Sequence, residues 1–161
     1  MTTIVLSRPR GAALLSRLIR RLTRSPVSHA MVGAKVGNVP VVIEATVGGV
    51  KITPRRKFER TNLVVAEFQT PEWVDLTFAV EHVGEHYDYV GLVGHLLCIL
   101  VWRWFRVYVK NPLASPSAVV CSEFVVRAVN ALSFKHLDPE RVTPKDLLDA
   151  CSTSDEFRRL S

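Results

Sequence analysis

Cysteine, histidine and glutamate are the residues of this chain that could carry covalent chemistry. Cys121 comes just after a Ser/Pro-rich turn, near the start of an expected helix. Backbone N–H groups left unpaired at a helix start, together with the helix dipole, favour an anion there. Such a site lowers a thiol from its ordinary pKa of about 8.5. The polar pair Ser122-Glu123 beside it points to an accessible groove. Cys98 lies among leucines and reads as a small core hydrophobe, and Cys151 reads as incidental. A lone cysteine is ordinarily structural, so a nucleophilic reading needs a base.

Five histidines could supply the base: His29, His82, His86, His95 and His136. His29 follows Ser28 and opens an expected strand, where a ring can be held over a neighbouring element. A base in turn needs an acceptor to orient it. Glu44, in the apolar run VVIEA, fits, because a buried carboxylate must have a partner. The plain alternative for Glu44 is a salt bridge to a nearby arginine. His95 reads as a core residue of an apolar helix. His82 and His86 flank a helix break and read as exposed. Their i, i+4 spacing could hold a metal, but no H-E-x-x-H order supports one.

The elements that must position these residues follow from periodicity. Residues 2–6 are β-prone. In residues 11–23, Leu14, Leu15, Leu18, Ile19 and Leu22 share one face at helical spacing, with Arg17, Arg20 and Arg21 mostly opposite. This predicts an amphipathic helix with a basic outer face, ending before Ser25-Pro26. Strands are expected over 29–36, 39–45, 50–53 and 61–68, with turns at Gly37-Asn38 and Gly48-Gly49 and a loop at 54–57. Thr70 is expected to cap a helix with Pro71 at its first position, running to about His82. Gly84 breaks it. A long apolar helix follows at about 91–109, stopped by Asn111-Pro112. The run AVVCSEFVVRAVNAL repeats Phe124, Val125, Ala128, Val129 and Leu132 at helical spacing. Thr143-Pro144 opens a last helix, with Asp146 in its first turn. Strands first and helices second predict one α+β domain over residues 1–161.

Composition narrows the partners. The 161 residues are 48% hydrophobic and 22% charged, the composition of a globular domain. Three scattered cysteines exclude a fully paired disulfide framework and argue against a zinc module. The net charge of +6 is uneven, with 12 Lys or Arg against 2 Asp or Glu in residues 1–60. Basic residues 8–24 and 51–60 suit an anionic surface, with a solvated face as the plain alternative. No zinc-finger spacing or RNA-binding strand motif favours nucleic acid. Residues 4–6 are too short for a signal-peptide core. The apolar run before Arg103 falls short of the roughly 20 residues that span a bilayer. Residues 92–108 read as a core or protein-contact helix, with peripheral membrane contact through Trp102, Trp104, Phe105 and Tyr108 as the alternative.

The order of several short motifs resembles the circularly permuted NlpC/P60 group of papain-like cysteine hydrolases, especially its YiiX-like and poxvirus-like branch. These motifs are Ser28-His29, Glu44-Ala45, Gly48-Gly49-Val50, Tyr87-Asp88-Tyr89 with Gly91, Cys121-Ser122-Glu123-Phe124-Val125, and Thr143 to Leu147. They cover roughly residues 3–150. The resemblance implies a papain-like core, an antiparallel sheet packed against the helix that bears the nucleophile. Cys121 would be the nucleophile, His29 the base and Glu44 the orienting residue. Tyr87, Ser122 and Glu123 would line the substrate or oxyanion site. The implied reaction is cysteine-dependent hydrolysis of an amide in a peptide or peptidoglycan-type substrate, with no cofactor. An acyl-lipid or thioester hydrolase or acyltransferase at a membrane surface is the second expectation. A non-catalytic binding protein on the same fold is the third. A cytoplasmic or phage- or virus-associated chain is the matching expectation for location.

Overall fold

The computed structural model describes residues 1–11, 13–46, 49–71, 74, 76–84, 121–139 and 141–161. Six strands form one antiparallel sheet: β1 Thr3–Pro9, β2 His29–Val36, β3 Val39–Thr46, β4 Gly49–Pro54, β5 Asn62–Gln69 and β6 Arg158–Arg159. Their spatial order is β4-β3-β2-β1-β5-β6. The helices are α1 Leu14–Thr23, α2 Arg55–Thr61, α3 Thr77–Glu81, α4 Cys121–Val129 and α5 Pro144–Thr153. A 3-10 turn covers Leu132–Phe134. The fold is mixed α+β. Among the described residues no helix is long and apolar enough to cross a membrane. The apolar helix expected at 91–109 lies outside them, as do Tyr87, His86, His95 and Cys98.

Strands in the middle of the sheet are apolar on both faces because both faces are covered. Ile4 and Leu6 of β1, Ala30 and Val32 of β2, and Ile43 and Ala45 of β3 join the larger core, with Phe124, Val125, Ala128 and Val129 of α4. The alternate residues Val5, Met31 and Val42 meet Phe58 of α2 in a smaller core. Strands β2 and β3 close on each other with Val36 opposite Val39. The two-residue loop between them holds Gly37 at φ 59, a left-handed backbone that glycine adopts without strain. Gly33 sits opposite Thr3. A Cβ there would lie 2.2 Å from the Thr3 hydroxyl, so the close approach of β1 and β2 requires glycine.

Several elements differ from the periodicity reading. Residues 55–61 are a helix rather than a loop. Arg55 pairs with Glu59 one turn on at 2.6 Å, and buried Phe58 anchors the turn to the sheet. The Thr70 hydroxyl and N–H both donate to the Thr2 carbonyl, tying the end of β5 to the start of β1. Among the described residues the helix that follows is Thr77–Glu81; residues 72, 73 and 75, where the expected cap would act, lie outside them. Leu132 does not continue the buried face of α4, because Asn130 turns left-handed at φ 46 and ends the helix. Leu132 is exposed as a result. Strand β6, two arginines long, carries no apolar alternation to read. Buried Phe157, stacked on Phe134 at 5.2 Å, holds it at the sheet edge. By contrast α5 starts where expected, with a full capping box between Thr143 and Asp146.

The largest departure is in α1. The leucine stripe does not face the core. Ser16 is the buried residue of this helix, while Leu14 is 80%, Leu15 38% and Leu18 45% exposed. The Ser16 and Ser28 hydroxyls hydrogen-bond at 2.7 Å, and that contact sets the rotation of the helix. The helix ends at Arg24, left-handed at φ 51, before Ser25-Pro26 as expected.

Candidate functional site

The site is built from two strands and the start of the described part of α4. In the β2–β3 register Val32 faces Ile43. Continuing that register sets Glu44 diagonally across from His29, within reach of a long side chain. The His29 Nε2 and Glu44 Oε2 atoms are 3.1 Å apart. Glu44 is 5% exposed, so its charge must be met from within. Its other oxygen accepts from the Thr53 hydroxyl at 3.0 Å, with the Lys51 ammonium 3.9 Å away. Lys51 lies opposite Glu44 in the β3–β4 ladder and Thr53 two residues further along. Among the described residues Glu44 meets His29, Thr53 and Lys51 rather than an arginine, the plain alternative.

The other group whose electrostatics bear on His29 is the Cys121 thiol, at the start of the described part of α4. Cys121 is 7% exposed and the His29 side chain 19%, which leaves a narrow opening at the ring. Burial alone would lower the imidazole pKa. Its hydrogen bonds to Cys121 and Glu44 outweigh burial and raise it to about 9. Burial pushes the Cys121 thiol up. The His29 hydrogen bond and charge, then the backbone N–H groups of Ala30 and Ser122, more than reverse this and hold it below an ordinary thiol. Burial likewise opposes ionisation of Glu44, and His29, Thr53 and Lys51 together keep it a carboxylate. The directions agree: a raised imidazole pKa favours the imidazolium at neutral pH, beside a thiol held below its ordinary pKa and a carboxylate held ionised. Cys151 is the contrast. It is buried in the larger core, not incidental, and burial pushes its thiol up to about 12.

The other expected site residues lie as follows. The Ser122 hydroxyl is buried and donates to the Val142 carbonyl, so it clamps α4 to the segment before α5 rather than facing a groove. It is the backbone N–H of Ser122, not its side chain, that helps to lower the Cys121 thiol pKa. Glu123 pairs with Arg127 one turn on at 2.7 Å. Tyr87 lies outside the described residues, as does the start of the helix run expected before Cys121. His82 stacks on Phe78 at 3.9 Å, and its Nδ1 is 2.7 Å from the Phe78 carbonyl. Among the described residues no cluster suited to a metal ion occurs. Thr53 and Lys51 were not singled out from sequence. The expected turn at Gly48-Gly49 would set residue 53 opposite residue 44, whereas the ladder sets Lys51 there.

A depression of about 410 Å³ lies elsewhere, lined in part by Thr3, Lys35, Arg55 and Glu67. Its polar groups are already matched. Arg55 grips Glu67 through both terminal nitrogens, at 3.2 and 2.9 Å, and Thr3 donates to Glu67 at 2.8 Å. It reads as a structural network.

The Glu44 interactions carry a first expected result. Glu44→Gln keeps an acceptor but removes the charge that supports the imidazolium. The His29 pKa then falls and the Cys121 pKa rises. Alkylation of Cys121 at pH 6 should slow by roughly three- to tenfold, measured by peptide mass spectrometry. An unchanged rate would remove Glu44 from the site. No protein-family model matches this chain, and no curated protein matches it.

Proposed function

We propose that this protein is a cysteine-dependent hydrolase that cleaves an amide of a peptide or peptidoglycan-type substrate through a thioester on Cys121. We propose further that its α+β fold is a permuted papain-like core of the NlpC/P60 kind. The observation that carries the reading is the His29 imidazole bonded to the buried Glu44 carboxylate at 3.1 Å, with the buried Cys121 thiol as the second group that raises its pKa. A core cysteine needs neither partner, and a structural ion pair needs no thiol.

The chemistry is as follows. The Cys121 thiolate attacks the substrate carbonyl carbon, and a C–S bond forms as the carbonyl π electrons move to oxygen. As the tetrahedral intermediate collapses, His29 passes its proton to the leaving nitrogen and the C–N bond breaks. Neutral His29 then takes a proton from water, whose oxygen attacks the thioester. Collapse of that second intermediate releases the acid and restores thiolate and imidazolium. Glu44 stays ionised throughout and holds the ring in place. A second reading has an acyl-lipid ester or thioester as substrate, with oxygen or sulfur leaving. The exposed leucines of α1, whose helix is tied to Ser28 beside His29, favour it.

The test is an active ester such as a p-nitrophenyl acyl ester. The parent chain should release about one equivalent of p-nitrophenol in a burst, leave an acyl group on Cys121 by mass spectrometry, and then turn over steadily. Cys121→Ala should show neither phase. A parent without acylation at Cys121 would leave only a non-catalytic binding protein, and a burst that survives in Cys121→Ala would place the nucleophile elsewhere and overturn the role of Cys121.

A further inference from the structure

We propose that α1 is an interfacial docking helix that seats this protein on an anionic lipid surface. A surface helix ordinarily turns its apolar stripe inward and its charges outward. Here α1 buries Ser16 and leaves Leu14, Leu15 and Leu18 exposed, as set by the hydrogen bond between Ser16 and Ser28. Three leucines in water on a ten-residue helix are a cost with no return inside the molecule. They find a return in a layer of acyl chains.

The charges around the stripe identify the layer. At 100° per residue, Leu14, Leu15 and Leu18 span one side of the helix, and Arg17 and Arg21 stand directly beside Leu14. Arg17, Arg21 and Arg24 are exposed. Among the described residues none of Arg17, Arg20, Arg21 and Arg24 pairs with a carboxylate, and α1 carries no acidic residue. In the second basic run Arg55 pairs with Glu59 and Glu67, and Lys51 stands near Glu44, while Arg56, Lys57 and Arg60 are exposed; no exposed leucine stripe accompanies them. Unpaired guanidinium groups at the rim of an apolar stripe match phosphate and serine headgroups above acyl chains. A nucleic acid would use the arginines and leave the leucines in water, so the leucines select the lipid. Docking does not depend on the proposed catalysis. Where both hold, the site opens toward lipid-borne acyl groups, since α1 is tied to the residue before His29.

Co-sedimentation of the full chain tests this, using phosphatidylcholine vesicles with and without about a third phosphatidylserine. The parent should pellet with the anionic vesicles and not with the neutral ones. Leu14→Gln/Leu15→Gln/Leu18→Gln alters only exposed positions and keeps helix-forming residues, so its melting curve should match the parent. Its vesicle affinity should drop about tenfold or more. Arg17→Gln/Arg21→Gln/Arg24→Gln should lose a similar factor and most of its salt dependence. Cys121→Ala should bind as the parent does, so docking and catalysis fail separately. Three results would overturn the proposal. These are no pelleting of the parent, equal pelleting with neutral vesicles, or parent-like binding by the leucine variant, which would mean plain polyanion attraction.

Discussion

In His29→Ala, alkylation of Cys121 by iodoacetamide at pH 6 is expected to slow by roughly 10- to 100-fold relative to the parent. The reason is the fraction of thiolate. An ordinary thiol with a pKa of about 8.5 is less than about 1% ionised at pH 6. The parent Cys121 sits in an apolar place that would raise its pKa further, and the imidazolium of His29 is the largest influence that reverses this. A low-pKa thiolate is also a weaker nucleophile, which trims the gain to the range stated. The sign is clear at both ends of the pH scale. Below the lowered thiol pKa, sulfur takes a proton and labelling falls. Above about 9 the ring loses its proton, and the protonated donor that the leaving group needs is gone. Proposed turnover should therefore follow a bell whose alkaline limb lies near 9, while alkylation keeps a plateau there. Cys151, with its thiol pushed up to about 12, is the internal control and should stay slow throughout. An ordinary thiol curve at Cys121 in the parent, indifferent to His29, would mean no activated pair.

Phe124→Ala is expected to cost about 3–5 kcal/mol of folding stability, the upper range for a single core truncation. Phe124 is fully buried, three residues after Cys121, and its ring lies 6.2 Å from that of Phe78. It is the side chain that presses α4 onto the sheet beneath the site. Its removal leaves a cavity that neighbouring strands cannot collapse to fill, because they are held in an antiparallel ladder. In a chain of this size the loss corresponds to a melting temperature lower by roughly 10 °C. Differential scanning calorimetry would read it directly. A shift within about 1 °C would mean that α4 is held mainly by Ser122 on Val142 rather than by packing.

Much of the sheet is legible in the residues. Alternation and turn glycines place β2, β3, β4 and β5 within a residue or two, because strand period and loop length are local properties. The start of α5 is legible for the same reason, since Thr143, Pro144 and Asp146 supply the whole capping box. Cys121, His29 and Glu44 can be singled out by type and order. What each touches cannot, because the sulfur, the ring and the carboxylate come from residues up to 92 positions apart.

Where local signals competed, tertiary contacts decided. PRRK reads as a loop until Phe58 finds the smaller core and Glu59 finds Arg55. Thr70 reads as a cap, and in the fold its hydroxyl and N–H tie β5 to β1. The leucines of α1 mark an apolar face in sequence, but only the Ser16–Ser28 contact turns that face outward. The sequence by itself determined β2 to β5 and the residue types available for chemistry, since those follow from neighbours along the chain, whereas the β3–β4 register and β6 came from the tertiary structure. The protonation of Cys121 and His29, the hold of Thr53 on Glu44 and the exposure of the α1 leucines were decided only by the tertiary structure. Each depends on burial and on partners that distant segments bring together.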